Sequence, residues 1–215
     1  MNLISNRPST EYTLIILVIP VGDYYNGAVE GVKAKVIDNY DRAAPKGVGN
    51  VKVSGNYAAD LLPNMTARDE GYPVSLYLDS RTNTCIEEFS ISNFVAVNKD
   101  GKYITPDSPT ILKSITNKSL MALAKAEGIT VEHRQVSVTE LETFDEICAC
   151  GTAVVMTPVG SIKLLDKTVT ISDRKGLGPV LQGLFNKYRA IQNGEVEDKL
   201  SWMVEVTSQL PTTSN

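Results

Sequence analysis

Short runs of β-branched and aromatic residues, each ended by a turn sequence, constrain the fold of this chain more than any other feature. Residues 14–19 form one such run, which stops at Pro20. Residues 94–97 and 102–104 form two more, on either side of the hairpin sequence 98–101. Runs of this length predict strands, and a wholly apolar run such as 14–19 predicts a fully buried strand. Further strands are predicted at 32–38, 74–78, 85–89, 130–136, 147–159 and 168–171.

Helical periodicity occurs in only a few places. Residues 56–68 predict a helix interrupted near Pro63, and residues 120–126 predict a helix that ends at Gly128. A capping-box sequence at Ser137 and Glu140 predicts a short helix, and a last helix is expected to begin at Pro179. Many strands with few helices, and no strict alternation of the two, predict a mixed α+β fold. We expect residues 1–200 to form a single domain and residues 201–215 to form a C-terminal tail.

Charge and cysteine content narrow the class of partner and compartment. The net charge is −4, from 21 Lys and Arg against 25 Asp and Glu, whereas phosphate-backbone binding needs a basic face, so nucleic acid is not the expected partner. Three cysteines in 215 residues do not make a disulfide scaffold. The run 14–19 is far shorter than the roughly 20 residues that cross a bilayer, and no signal-peptide pattern surrounds it. We therefore expect no membrane partner and a cytoplasmic protein, or an organellar one if a transit sequence is missing.

Metal catalysis is not expected, because the chain has a single histidine. His133 lies in the alternating stretch 130–136, where it is predicted to be an exposed strand residue. The cysteines are not spaced as zinc ligands, and Cys148 and Cys150 are predicted to be buried strand residues.

The glycine-rich segment 47–57 is where the residue types point to chemistry. Lys52 stands between Val51 and Val53, so partial desolvation would lower the pKa of its amine and make it a nucleophile toward an aldehyde. Tyr57 could then donate a hydrogen bond into the same pocket. The alternative, an ordinary surface lysine in a loop, stays open on composition alone.

Five segments in order resemble motifs of the class IV pyridoxal-phosphate aminotransferases, most closely the branched-chain amino acid aminotransferases. The segment around Lys52 resembles the family's catalytic-lysine motif, and Glu88 and Asn93 have the family's five-residue spacing. The other matching segments are 12–21 with 40–45 (the lead-in), 111–116 (the phosphate-binding turn) and 151–159 (the C-terminal substrate turn).

The resemblance implies a role for each matching residue. Lys52 would carry pyridoxal 5′-phosphate as a Schiff base and move the proton during transamination. Glu88 would accept a hydrogen bond from the pyridine nitrogen, and Tyr57 would bond the ring's phenolic oxygen. The backbone N–H groups of Ile115 and Thr116 and the hydroxyl of Thr152 would bind the cofactor's phosphate. The Thr152–Ala153 turn would bind the substrate's carboxylate. Arg42 would lie near the cofactor.

The resemblance also implies architecture and activity. The fold would be a mixed, β-barrel-like sheet surrounded by helices, as in the large domain of the D-amino acid aminotransferase-like enzymes. The activity would be transfer of the amino group of leucine, isoleucine or valine to 2-oxoglutarate by a homodimer. Family members also carry an N-terminal small domain, which the chain is expected to lack. The alternatives are a weak or inactive remnant that serves as an interaction or dimerisation module, or another class IV enzyme such as a D-amino acid aminotransferase or an aminodeoxychorismate lyase.

Three positions depart from the family pattern. Ser114 and Asn117 stand where the phosphate-binding turn usually has glycine and arginine. Ile91 stands where relatives often have a small or hydroxyl residue that faces the substrate.

Overall fold

The computed structural model of the chain describes residues 7–20 and 31–206. They form an α+β fold with ten strands, three α-helices and one 3₁₀ segment at Val138–Thr143. The helices are α1 (Ser54–Asp69), α2 (Ile115–Ala126) and α3 (Pro179–Gln192). The strands are β1 (Val32–Ile37), β2 (Val74–Leu78), β3 (Cys85–Phe89), β4 (Asn93–Asn98), β5 (Tyr103–Pro106), β6 (Val131–Arg134), β7 (Val136–Ser137), β8 (Phe144–Gly151), β9 (Val155–Lys163) and β10 (Thr168–Thr170).

Six of these strands close into a mixed barrel in the order β4-β8-β9-β1-β2-β3. Strand β1 runs parallel to β2 and β9, and the other barrel pairs are antiparallel. The barrel closes between β3 and β4 at one register pair, Glu88 with Asn93. The predicted barrel-like α+β fold is therefore confirmed.

Alternation along the barrel strands separates two cores. On β4, Phe94 and Ala96 belong to a cluster drawn from all six barrel strands, which is the barrel interior. Val95 and Val97 belong to a second cluster, shared with α2 and α3 on the outside of the barrel. Three rings pack in the interior, with centroids 5.7 Å apart for Phe89 and Phe94 and 6.2 Å apart for Phe94 and Phe144.

Most predicted elements are present, with adjusted ends. Helix α2 begins at Ile115, well before the predicted start, and Gly128 follows it with φ +76°. The capping box at Ser137 and Glu140 is formed, although it opens a 3₁₀ segment. The predicted single strand 147–159 is wrong, because residues 152–154 turn the chain between β8 and β9. His133 is an exposed strand residue on β6, and Cys148 and Cys150 are buried, as predicted.

The predicted buried strand at 14–19 is wrong. Residues 11–20 have no regular secondary structure and are exposed, with Leu14 86% exposed and Val18 88%. The barrel itself has no free edge, and within the described residues the run pairs with none of the outer strands β6, β7 and β10. Within the described residues nothing covers this run.

The predicted interruption of α1 at Pro63 is also wrong. The helix runs unbroken from Ser54 to Asp69 with Pro63 inside it. Proline removes one N–H, and the carbonyl that loses its partner belongs to Ala59, which is exposed to water. The face of α1 that packs on the sheet carries Asp60, Pro63 and Ala67, whereas the apolar side chains Leu61, Leu62 and Met65 are exposed.

No helix among residues 7–20 and 31–206 has both the length and the apolar character to cross a bilayer.

We predict that Phe94→Ala lowers the free energy of unfolding by about 3–5 kcal/mol, because it leaves a cavity between two rings in the barrel interior. Leu165→Ala is the control, since this leucine is 77% exposed and its truncation should change the free energy by no more than about 0.5 kcal/mol. Urea denaturation of both variants checks the difference, and equal effects would contradict the assignment of Phe94 to the core.

Candidate active site

A cavity of about 670 Å³ opens beside the point where the barrel closes. The β3–β4 turn, the segment before α2 and the β8–β9 turn line it. The structure brings these sequence-predicted residues to the cavity wall: Arg42, Lys52, Tyr57, Glu88, Ile115, Thr152 and Ala153. Thr116 is buried next to this wall and does not line it.

Glu88 is the buried charge of the site. It is the second-last residue of β3, with 3% of its surface exposed, and its Oε1 accepts the backbone N–H of Leu112 at 2.9 Å. Its Oε2 accepts the side-chain amide of Asn93 at 3.2 Å, and the same amide donates to the carbonyl of Leu112 at 2.9 Å. Burial raises the pKa of Glu88 to about 7, against the opposing effects of Arg42 and the Leu112 N–H.

Arg42 joins Glu88 to the loop that carries Lys52. Its Nη2 lies 2.5 Å from Glu88 Oε1 and donates to the carbonyls of Thr110 at 2.7 Å and Gly49 at 3.2 Å. Arg42 is 7% exposed, and its Nε has no hydrogen-bond partner among the described residues. The guanidinium is thus held by the protein's own carboxylate and backbone.

The loop from residue 41 to residue 53 has no helix or strand and is shaped by specific contacts. The side-chain amide of Asn56 donates to the carbonyls of Val48 at 2.9 Å and Val51 at 3.0 Å. Gly49 lies so close to the neighbouring segment that a Cβ would stand 2.4 Å from the Thr110 carbonyl oxygen. These contacts place Lys52 at the cavity wall.

Lys52 itself is exposed, and Val51 beside it is 48% exposed. The expected desolvation of Lys52 by its valine neighbours is therefore not supplied by the described residues. The sequence pattern was misleading here because two flanking valines bury a lysine only if something packs over them.

Tyr57 lies in the first turn of α1, which is anchored to β2 by polar contacts. The hydroxyl of Tyr77 donates to the carboxyl of buried Asp60, and Ser75 donates to Asn64 at 3.1 Å. Burial raises the pKa of Asp60, opposed by the hydrogen bond from Tyr77. These contacts fix the helix that presents Tyr57, a residue that is 36% exposed and lines the cavity.

The N-terminus of α2 opens toward the cavity with unpaired donors. Ser114 is the N-cap, and its hydroxyl accepts the N–H of Asn117 at 3.1 Å. Ser114 has φ −68° and ψ 131°, so the serine fits this backbone without strain. The N–H groups of Ile115 and Thr116 have no acceptor in the described part of the chain, as expected of first-turn positions. A helix start with free N–H groups favours an anion.

The β8–β9 turn holds Thr152 and Ala153 next to a strained residue. Val155 has φ +63°, which is rare for a β-branched residue, and the N–H of Met156 donates to the Val154 carbonyl at 2.8 Å. This hydrogen bond closes a γ-turn about Val155. Strain of this kind persists where surrounding structure fixes it, and here both neighbouring strands are part of the closed barrel.

Several residues of the cavity wall were not singled out from the sequence: Ser90, Leu112, Lys113, Val154 and Thr157. The resemblance named Asn93 as a spacing partner but gave it no function. The pairing of Glu88 with Asn93 across a tight turn is the signal that indicates its role in holding the carboxyl. Leu112 and Lys113 lie in the predicted phosphate-binding turn 111–116, but nothing in the sequence indicated which of their groups would contact the cavity.

We predict that Glu88 titrates near neutral pH in the cofactor-free chain, because burial disfavours its charged form. A protonated-carboxyl infrared band should persist at pH 6 and disappear as the pH rises through about 7. Between about pH 4.5 and pH 7 the folded chain keeps this proton, whereas the unfolded chain has lost it. The free energy of unfolding, relative to that of Glu88→Gln, therefore falls as the pH rises through this range. Glu88→Gln should lack the band, and loss of the band near pH 4.5 in the wild type would contradict the assignment.

We predict that Gly49→Ala lowers the free energy of unfolding by about 1–3 kcal/mol, because the added Cβ meets the Thr110 carbonyl and Ala43. Gly183→Ala is the matched control, since that glycine lies exposed within α3 with nothing near its Cβ position. The control should gain about 0.5–1 kcal/mol from helix propensity. Chemical denaturation distinguishes the two, and a neutral Gly49→Ala would show that the loop is loosely held.

Comparison with known proteins adds to this geometry. Residues 3–162 match the family model described as amino-transferase class IV. The branched-chain-amino-acid aminotransferase of Helicobacter pylori is 43% identical over 202 residues, covering 93% of this chain and 58% of the relative. The Haemophilus influenzae enzyme of the same name is 40% identical over 206 residues, covering 93% and 60%. The chain thus spans less than two thirds of the length of these curated relatives.

Solved structures agree with the sequence matches. The branched-chain amino acid aminotransferase of Escherichia coli superposes with a TM-score of 0.74 at 33% identity, over 86% of this chain and 59% of that one. The enzyme of Thermoproteus uzoniensis with norvaline gives 0.70 at 28% identity, over 83% and 56%. Since the family model covers most of the chain and the barrel agrees with its solved relatives, the chain belongs to the class IV aminotransferase family.

Proposed function

We propose that this chain is the cofactor-bearing domain of a pyridoxal-phosphate-dependent branched-chain aminotransferase. Residues 1–200 make up this domain and residues 201–215 its tail, of which 207–215 lie outside the described residues. The proposal takes its substrates from the names of the relatives, which are branched-chain aminotransferases at 40–43% identity.

The observation that carries the proposal is the set of groups around one cavity. The wall carries an amine, a phenol, a buried carboxyl and, at Ile115, the N-terminus of α2. This set fits pyridoxal phosphate, which has an aldehyde, a phenolic oxygen, a ring nitrogen and a phosphate. Related structures support the cofactor, since the Thermobaculum terrenum enzyme is described in its PLP form.

In this proposal each residue performs a separate task. Bound pyridoxal phosphate supplies an electron-withdrawing ring and a carbonyl that condenses with amines. Lys52 would hold the cofactor through its Nζ, and its amine would be the base that takes the proton from the substrate's α-carbon. Glu88 would accept the ring nitrogen's hydrogen bond, and Tyr57 would donate to the phenolic oxygen.

The anionic groups are bound by backbone donors and a hydroxyl. The N–H groups of Ile115 and Thr116 and the hydroxyl of Thr152 bind the phosphate in this proposal. The Thr152–Ala153 turn presents N–H groups to the substrate carboxylate. Arg42, expected near the cofactor, lines the cavity and is assigned the indirect task of orienting Glu88, because its Nη2 is already bound to that carboxyl.

Substrates with apolar side chains suit the wall of the cavity. Ile91, at the β3–β4 turn, is 46% exposed and lines the cavity together with Val154. The Cβ position of Gly151 lies 3.7 Å from Ser92 Cβ, which brings this turn against the β8–β9 turn. The amino group of leucine, isoleucine or valine would be transferred to 2-oxoglutarate.

A homodimer completed by a small domain is the proposed assembly. The exposed apolar residues of α1 (Leu61, Leu62 and Met65) and of the run 14–19 are the surfaces that such partners would cover. The exposure of Lys52 supports the same requirement. A cytoplasmic location is part of the proposal and is supported by three free cysteines.

We predict that borohydride reduction of the chain incubated with pyridoxal phosphate attaches the cofactor to Lys52. Peptide mass spectrometry should find the added mass on the Lys52 peptide, and Lys52→Ala should lose it and lose transfer of the amino group from leucine to 2-oxoglutarate. Lys46→Ala, an exposed lysine of the same loop, is the control and should retain both. Label spread over surface lysines, or unchanged labelling in Lys52→Ala, would overturn the assignment.

A turnover assay separates the enzyme from the remnant. Formation of glutamate from leucine by the wild-type chain supports the proposal. A specific Lys52 adduct without turnover, unrelieved by a supplied small domain, would favour a cofactor-holding remnant.

A further inference from the structure

We propose that Lys113 supplies the side-chain positive charge that holds the cofactor's phosphate in this chain. The inference rests on the proposed function, because it concerns how the same cavity binds pyridoxal phosphate. The resemblance places Lys113 in the phosphate-binding turn 111–116 but gives a role there only to the backbone of Ile115 and Thr116.

The position of Lys113 brings a cation to the expected anion site. It lines the cavity and immediately precedes Ser114, the N-cap of α2. The next two residues, Ile115 and Thr116, carry the backbone N–H groups that have no acceptor among the described residues. A lysine ammonium is a compact point charge that suits a phosphate and adds to the N–H groups of a helix start.

The other two cations of the cavity wall are already engaged. Arg42 is bound to Glu88 at 2.5 Å and to two backbone carbonyls. Lys52 is assigned to the covalent link with the cofactor. Lys113 is exposed at the cavity wall, and it forms no ion pair or hydrogen bond within residues 7–20 and 31–206.

The family's usual cation after the Ile-Thr pair is absent here, and its replacement is turned away from the cavity. Asn117 is 9% exposed, accepts from the hydroxyl of Tyr103 at 2.7 Å and donates to Thr105 at 2.9 Å. These bonds commit both atoms of its side-chain amide to the packing of α2 on β5. Among the cations that line the cavity, Lys113 is therefore the one that stands beside the start of α2 without a partner in the described residues.

The test compares pyridoxal phosphate with pyridoxal, which lacks the phosphate. Dissociation constants of both are measured by absorbance titration for the wild-type chain, Lys113→Met and Lys113→Arg. We expect Lys113→Met to weaken the binding of pyridoxal phosphate about 10-fold, which corresponds to about 1.4 kcal/mol. The dissociation constant of pyridoxal should stay unchanged. Lys113→Arg should retain most of the wild-type affinity, because the charge remains.

Lys125→Met is the matched control, since Lys125 is an exposed lysine in the last turn of the same helix. It should leave both constants unchanged. The inference would be overturned if Lys113→Met weakened the binding of pyridoxal phosphate and pyridoxal equally, or if it weakened the binding of neither. In both cases, specific binding by the wild type would leave the proposed function standing. Failure of the wild type to bind either compound would overturn the proposed function together with the inference.

Discussion

The pairing of Glu88 with Asn93 is the interaction on which the rest of this structure depends. It is the single register pair that joins β3 to β4 and so closes the six-stranded barrel. The side chains of the same two residues bond to each other and to both backbone groups of Leu112. Because Leu112 precedes α2, this one cluster closes the barrel, fixes the position of the buried carboxyl and fixes the segment that leads into the helix.

Closure of the barrel at this point obliges the chain to bury a carboxyl, and the surrounding contacts determine how much charge it keeps. Arg42 and the Leu112 N–H favour the ionised form, whereas burial and neighbouring Glu87 disfavour it, and burial prevails. A carboxyl poised near neutrality gains most from a partner that brings its own proton, such as a protonated ring nitrogen. The guanidinium of Arg42 also donates to the carbonyls of Gly49 and Thr110. The residue that pairs with Glu88 therefore also fixes the loop that carries Lys52.

Local patterns predicted what local physics decides. The hairpin at 98–101, the capping box at Ser137 and the start of α3 at Pro179 follow from residue types within a few positions, and all are present. Ordered motifs located the cavity wall, because a family's site residues keep their order along the chain. The place of Lys113 in the cavity wall and the ion pair of Arg42 with Glu88 depend on which segments meet at the rim of the barrel. The spacing of residues along the sequence does not encode such contacts. Pro63 was misjudged for a related reason, since the cost of a missing N–H depends on whether water reaches the abandoned carbonyl.

The remaining failures share one cause. Three apolar features carry the composition of buried surface, yet all are exposed among the described residues: the run 14–19, the side of α1 with Leu61, Leu62 and Met65, and Val51 beside Lys52. A contiguous apolar surface indicates that something covers it in the assembled protein, but its composition does not identify the covering segment or partner. A second subunit and a small domain placed over these surfaces would also desolvate Lys52, whose amine must lose its proton to react with an aldehyde. Burial of the apolar surfaces and activation of the lysine would then be two consequences of the same assembly step.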